Sequence, residues 1–288
     1  MKRCAQMVTV LAVAATLLMT AGCNKLKARD QLNKGVKAYR NANYEEAIEK
    51  FKNAVEFDPD LKVAKLYLAT AYAQQYVPGV GDPANVRMAQ QAIDEYQKVL
   101  ESDPKSVNSL KGIAFLYMQM KDFAKSRDYY KKAIEVDPDD PEIYYSVGVI
   151  DWTQAYKDAA DLKSANGMKV DDELKGKGSQ KWCDQLKAKD EGAVDEGMKM
   201  LQTAIEKRQD YDDAMAYMNL LYRRKANDMT CDDAQARADY IKTANEWSDK
   251  AMAARKKKAE EAAKKNQGGI VLEPQNQSQQ GGQPPSQK

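Results

Sequence analysis

Four cysteines and no histidine delimit the chemistry open to this chain of 288 residues. Without an imidazole, Ser-His-Asp and Cys-His catalysis and most zinc sites fall away. No Gly-rich phosphate loop or nucleophile elbow replaces them. Carboxylates remain, 43 Asp and Glu in all. Two of them facing each other in a groove, with raised pKa, would mark a carboxylate-only hydrolase. Acidic runs at 137–140, 170–173, 210–213 and 231–234 invite a calcium reading. None has the alternating Asp spacing and Gly of a calcium loop, and charge at helix N-termini accounts for most of them better. The expectation is therefore no enzyme, no metal and no cofactor.

The cysteines fall into two groups. Lys2 and Arg3 precede a mostly apolar, uncharged stretch from Met7 to Met19, too short to span a bilayer, and then Thr20-Ala21-Gly22-Cys23. Small residues directly before a cysteine resemble a bacterial lipobox, although Leu is usual where Thr20 stands. The resemblance implies a signal peptide over 1–22 and a lipidated Cys23 that tethers the body to a membrane. Asn24 after the cysteine implies the outer membrane and a periplasm-facing body; inner-membrane anchoring and an ordinary secretory signal are the alternatives. Removing 1–22 leaves 43 basic against 43 acidic residues, so a lipid rather than charge would provide the anchor. Nothing in that balance points to nucleic acid.

Cys183 and Cys231 remain, in a compartment that permits disulfides. A straight helix from Cys183 to Asp195 would carry the thiol roughly 18 Å from the repeat core, whereas a break near Gly192 would bring it back. A bridge and two free thiols both stay open.

These residues need elements to position them, and the elements repeat. Asp-Pro recurs at Pro59, Pro104 and Pro138; the second interval is 34 residues and the first 45. The extra eleven coincide with the loop-coded YVPGVGDPAN, from Tyr76. Position by position the copies resemble the tetratricopeptide repeat. The first, 28–61, places Gly35, Tyr44, Ala47, Phe51 and Ala54. The second, 62–106, places Leu68, Ala69, Tyr72, Ala92 and Tyr96. The third, 107–140, places Ile113, Ala114, Tyr117, Phe123, Tyr130 and Ala133, with Ser126 for the usual Ala. The implied fold is an all-α solenoid of about five helical hairpins, each covering an apolar face of its neighbour. Small residues would let the two helices of a repeat approach, and Phe51 and Tyr130 would fill the gap to the next. Asp-Pro is expected to end one helix and start the next, with Asp as N-cap and Pro in the first turn.

Two degenerate repeats follow. The fourth, 141–211, contains an expected projecting helical hairpin at about 155–194, with Asn166-Gly167 as a helix stop. The fifth, 212–265, ends in a long capping helix from about Asp232, with Ile241, Ala244, Trp247 and Ala251 on its packed stripe. Its basic run Arg255 to Lys258, with Lys264 and Lys265, is expected to be a charged final turn, with contact to anionic lipid as the alternative. Residues 23–27 read as a short tether, and 266–288, rich in Gln, Gly, Pro and Ser, as a disordered tail.

The resemblance implies that first helices line a concave face. This assigns Leu32, Val36, Tyr39, Leu66, Thr70, Lys111, Phe115, Met118, Tyr145, Val149 and Trp152 to a partner groove. The chaperone-tail clamp of the family is absent, with Leu32, Val36, Tyr67, Asn108 and Gly112 at its positions. The expected function is a membrane-anchored scaffold for a protein or peptide partner in envelope assembly or secretion. The alternatives are a spacer whose groove is filled by its own chain, self-association through the uncapped first repeat, and the hydrolase.

Overall fold

The structure is a computed structural model and describes residues 22–174 and 178–267. The expected signal segment up to residue 21 and the tail from 268 onward lie outside the described residues. Ten helices and no strand occur among the described residues: α1 (22–40), α2 (Tyr44–Phe57), α3 (Lys62–Gln75), α4 (Pro83–Ser102), α5 (Val107–Gln119), α6 (Phe123–Val136), α7 (Pro141–Ala165), α8 (Ser179–Lys207), α9 (Asp212–Asp228) and α10 (Ala234–Gln267). They pair as α1/α2, α3/α4, α5/α6, α7/α8 and α9/α10, and the hairpins stack in order. Residues 23–27, expected as a tether, are helical and part of α1.

Close approach between helices comes from glycine. A Cβ on Gly35 would stand 2.5 Å from Cε1 of Phe51, so α1 and α2 touch only because residue 35 has no side chain. Phe51 is fully buried and also stacks on Tyr67 of the next hairpin, with ring centroids 5.4 Å apart. Gly112 does the same between hairpins, where a Cβ would meet the Tyr96 ring at 2.4 Å. Ser126 is buried in place of the smaller residue, and its hydroxyl donates to the carbonyl of Ala114 at 2.7 Å.

The core is a chain of clusters rather than one centre. Phe51, Leu68, Ile93 and Ile113 join the first hairpins; Leu110, Tyr130, Ile143 and Ile150 join the middle ones. Val194, Leu201, Met215, Met218 and Leu221 join the last, and Ala244 and Ala251 of α10 are buried. Each cluster bridges neighbours only, as a one-dimensional stack requires.

Four expectations are corrected. Asp58, Asp103 and Asp137 of the Asp-Pro pairs are C-caps of the preceding helix, each donating its N–H back to Ala54, Val99 or Ala133. Asp58 and Asp137 also accept from the N–H two residues on, an Asx turn that carries the chain past the proline. Asp-Pro opens a helix only at Asp82-Pro83 and Asp140-Pro141. The acidic run at 170–173 starts no helix: Asp172 turns the loop by accepting from Lys169 N–H at 2.7 Å, and Asp171 pairs with Arg224. Arg255 and Lys258 are not a final turn. They pair with Asp212 and Asp213 and fasten α10 to the start of α9.

The last correction concerns the projecting hairpin. It is a continuation of the repeat's own helices, not a separate insert: α7 runs unbroken to Ala165 and α8 from Ser179 without a break at Gly192. Asn166 caps α7 and Gly167 follows at φ +71°. Cys183 and Cys231 are nevertheless bridged, Cα atoms 5.3 Å apart. The thiol does not come back to the core. Instead α9 grows to 17 residues and carries Cys231 outward alongside α8. Of the eleven residues added to the second hairpin, some form the seven-residue connection 76–82. Others lengthen α4 to 20 residues, against 14 for α2 and α6.

Candidate functional site

Helices α1, α3, α5, α7 and α9 are the first helices of the five hairpins, and the eleven groove candidates sit on four of them. None is fully buried. Ten are half-buried, and Phe115 is 47% exposed. The long capping helix packs along α9 and so lies at the end of the stack rather than across it.

The distal candidates pack against their neighbours. Tyr145 lies against Tyr211 and Tyr217, with centroids 5.0 and 5.6 Å apart. Trp152 lies between Tyr156 and Tyr217 at 5.1 and 5.3 Å. Burial, with Tyr217 and Asp213 adding to it, pushes the Tyr145 hydroxyl up to about 12, so it stays a neutral donor. Lys111 is held to Asp140 at 2.7 Å and caps the face with a satisfied charge. Glu142 accepts from Arg208 and from the Tyr211 hydroxyl, each at 2.6 Å.

The proximal and middle parts are open. Leu66, Tyr67, Thr70, Tyr96 and Asn108 surround a hollow of about 330 Å³. A second, about 290 Å³, shares Thr70 and Tyr96 with it and continues to Phe115 and Gln119. Thr70 Oγ1 and the Tyr96 hydroxyl lie 3.2 Å apart, and burial raises the Tyr96 pKa. A third, about 610 Å³, shares Pro78 and Gln119 with the second and reaches Met118, Val149 and Tyr156. The three form one interrupted trough.

Sequence reasoning missed Tyr76, Pro78 and Gly79, which belong to the extra loop yet line these hollows. The signal was the apolar, glycine-spaced character of that loop, which reads equally as a plain connection.

The facing carboxyls that a hydrolase asks for do occur, as Asp158 and Asp190. Burial first, then Asp158, pushes Asp190 up to about 7. The pair lies within the α7/α8 projection, away from the trough, and Asp190 is 1% exposed. A hollow of about 340 Å³ beside it is lined by Asp158 but not by Asp190. Among the described residues no group of three or more Cys, Asp or Glu could hold a metal ion. Cys23 is exposed and unbridged. No described helix is long and apolar enough to cross a membrane.

Residues 107–140, the third hairpin, match the family model of the tetratricopeptide repeat. A curated relative, the DnaJ homolog subfamily C member 7 homolog of Schizosaccharomyces pombe, is 27% identical over 132 residues, 36% of this chain. The chain spans 28% of that relative's length. Among solved structures, a crystal structure of MamA protein has a TM-score of 0.52 at 15% identity, covering 81% of this chain and 94% of that one. MamA of Desulfovibrio magneticus RS-1 gives 0.52 at 15%, covering 80% and 96%. At such identities the likeness concerns fold alone. Among the described residues the molecule is an all-helical solenoid of tetratricopeptide-repeat architecture.

Proposed function

We propose that this protein holds a protein or peptide partner along the concave face, as a scaffold and not as a catalyst. The observation that carries the reading is the uncovered apolar trough: Phe115 is 47% exposed in its middle, and Leu66, Met118 and Val149 are only half covered. Apolar surface left open in a rigid concavity favours a partner that covers it. The distal aromatic stack makes the last third of the face firm, so the open ground lies between α1 and α7.

The sequence before Cys23 supports a further part of the proposal, a lipid anchor at that cysteine on a membrane of a bacterial envelope. The exposed position of Cys23 agrees with such a role. In this setting the partner belongs to envelope assembly or secretion.

Phe115→Ser tests the first part, because an exposed side chain can change without unfolding the stack. Purified wild type captures a partner from envelope extract and the variant loses most of it, at unchanged helical content. Equal capture by both would sink the groove reading. Cys23→Ser tests the second: the variant appears in the soluble fraction, whereas retention on membranes at moderate salt refutes lipid anchoring.

A further inference from the structure

Both departures from the regular repeat lie between the two helices of a hairpin, and they are one hairpin apart. The connection 76–82 joins α3 to α4, and the projection extends α7 and α8. Connections of this kind emerge at the same edge of the stack. The 120–122 turn between α5 and α6 therefore becomes the floor of a cleft whose walls are the two additions. The lining shows this directly: Pro78 and Gly79 on one side, Lys121 and Phe123 below, Tyr156 and Lys157 on the other. The volume, about 610 Å³, falls within the roughly 300–1,000 Å³ of ligand pockets.

The loop wall is built. The side chain of Asn85 accepts from Val77 N–H at 2.7 Å and donates to the carbonyls of Val77 at 2.8 Å and Val80 at 2.7 Å. Asp82 caps α4 beneath it, accepting from Ala84 N–H at 2.7 Å. A loop so tied spends little ordering entropy on binding. It presents Val77 and Val80, 54% and 46% exposed, beside the cleft mouth, and Phe115 lies on the adjoining ground. Apolar surface thus continues outside the cleft, which suits an extended chain better than a compact small molecule.

Charge selects among chains. Lys121 and Lys157 line the cleft and no carboxylate does. Asp161 pairs with Lys157 at 2.6 Å and offsets its charge, so Lys121 carries the net positive charge of the cleft. We infer that this cleft is a second docking site, for a peptide segment of another protein that carries a bulky apolar residue flanked by carboxylates. The inference rests on the proposed function, since Met118 and Val149 of the trough also line the cleft, and it adds Pro78, Lys121, Tyr156 and Lys157.

The probe is a fluorescein-labelled heptapeptide of glutamates around one Leu and one Phe, with a lysine-for-glutamate counterpart as control. Anisotropy on the full chain should show the acidic peptide bound at least tenfold more tightly than the basic one. Lys121→Glu should erase the preference, and Tyr156→Ala and Asn85→Ala should each weaken acidic binding several-fold, at unchanged thermal midpoint. Phe115→Ser should weaken it less than Tyr156→Ala. Equal affinity for the two peptides, or no binding at 1 mM, overturns the proposal. So does binding lost in Phe115→Ser but kept in Tyr156→Ala, which leaves the concave-face reading standing. A dimer that dissociates on Tyr156→Ala would show a second copy as the occupant, and affinity that rises on removing 268–288 would show the chain's own tail; either result also overturns it.

Discussion

Lys163 on α7 and Asp228 at the end of α9 form an ion pair with both side chains out of reach of water, 0% and 2% exposed. Lys163 also donates to the carbonyls of Val170 and Asp172, at 3.0 and 2.6 Å, and Arg224 pairs with Asp228 at 3.1 Å. Burial alone would discharge both partners, raising the acid and lowering the amine, and their mutual attraction opposes it. Asp228→Ala leaves the buried Lys163 without its carboxylate, leaves Arg224 paired with Asp171 alone, and should cost about 3–5 kcal/mol. Denaturant unfolding measures this; a loss below roughly 1 kcal/mol would mean that water reaches the cluster.

The Cys183–Cys231 bridge closes a segment with a sequence separation of 48. Reduction, or Cys231→Ser, should lower stability by about 2–4 kcal/mol. The loss concentrates at the tip of the projection, where Leu174, Cys183 and Leu186 pack. Hydrogen exchange with and without reductant should show amides of the α7/α8 tip exchanging faster while α1 to α4 are unchanged. Uniform loss along the chain would contradict a neighbour-only stack.

Asp190 should make stability fall as pH rises. Its carboxyl is pushed up to about 7 in the folded chain, mainly by burial, against an ordinary 3.8. Between those values the folded state holds a proton that the unfolded state has lost. Its stabilising effect is therefore complete below about pH 4 and gone above about pH 7. Asp190→Asn should gain about 1–3 kcal/mol at pH 8 and little at pH 4. Chemical unfolding at the two pH values decides, and a variant less stable at pH 8 would refute the assignment.

Gly112→Ala places a methyl group 2.4 Å from the Tyr96 ring. The ring is buried between two hairpins and cannot swing aside freely. The substitution should cost about 1–3 kcal/mol by overpacking. Adding Tyr96→Phe would not relieve it, because the ring and not the hydroxyl makes the contact. A thermal midpoint unchanged from wild type would show that the hairpins can slide apart.

The stack was legible because its packing rule is local. Gly35 facing Phe51, and Ala114 packed in one cluster with Tyr130, are contacts within a repeat or with the next one, so spacing alone encodes them. The eleven groove positions follow from the same register, and the structure leaves all of them partly open, though Tyr145 and Trp152 pack against α9 aromatics. Lys163, Arg224 and Asp228 were not legible. In sequence each looks like one more solvated charge, and only the 65-residue contact between α7 and α9 buries them. The cleft was hidden likewise, since Gly79, Lys121 and Tyr156 meet only after three hairpins have stacked. Asp-Pro ends a helix as expected at Asp58, Asp103 and Asp137 but does not cap the next one, because the pair suits a helix end or a helix start equally well. Whether the next residues turn or wind on decides between the two.

The cystine also matters under tension. If the chain were anchored at Cys23 and pulled from its far end, a force would strip the hairpins one after another, each lengthening the tether. Residues between 183 and 231 would be bypassed by the sulfur link. The fully stretched molecule would stop about 170 Å short of its reduced form. A single-molecule stretching trace would show the oxidation state of this protein as a missing step.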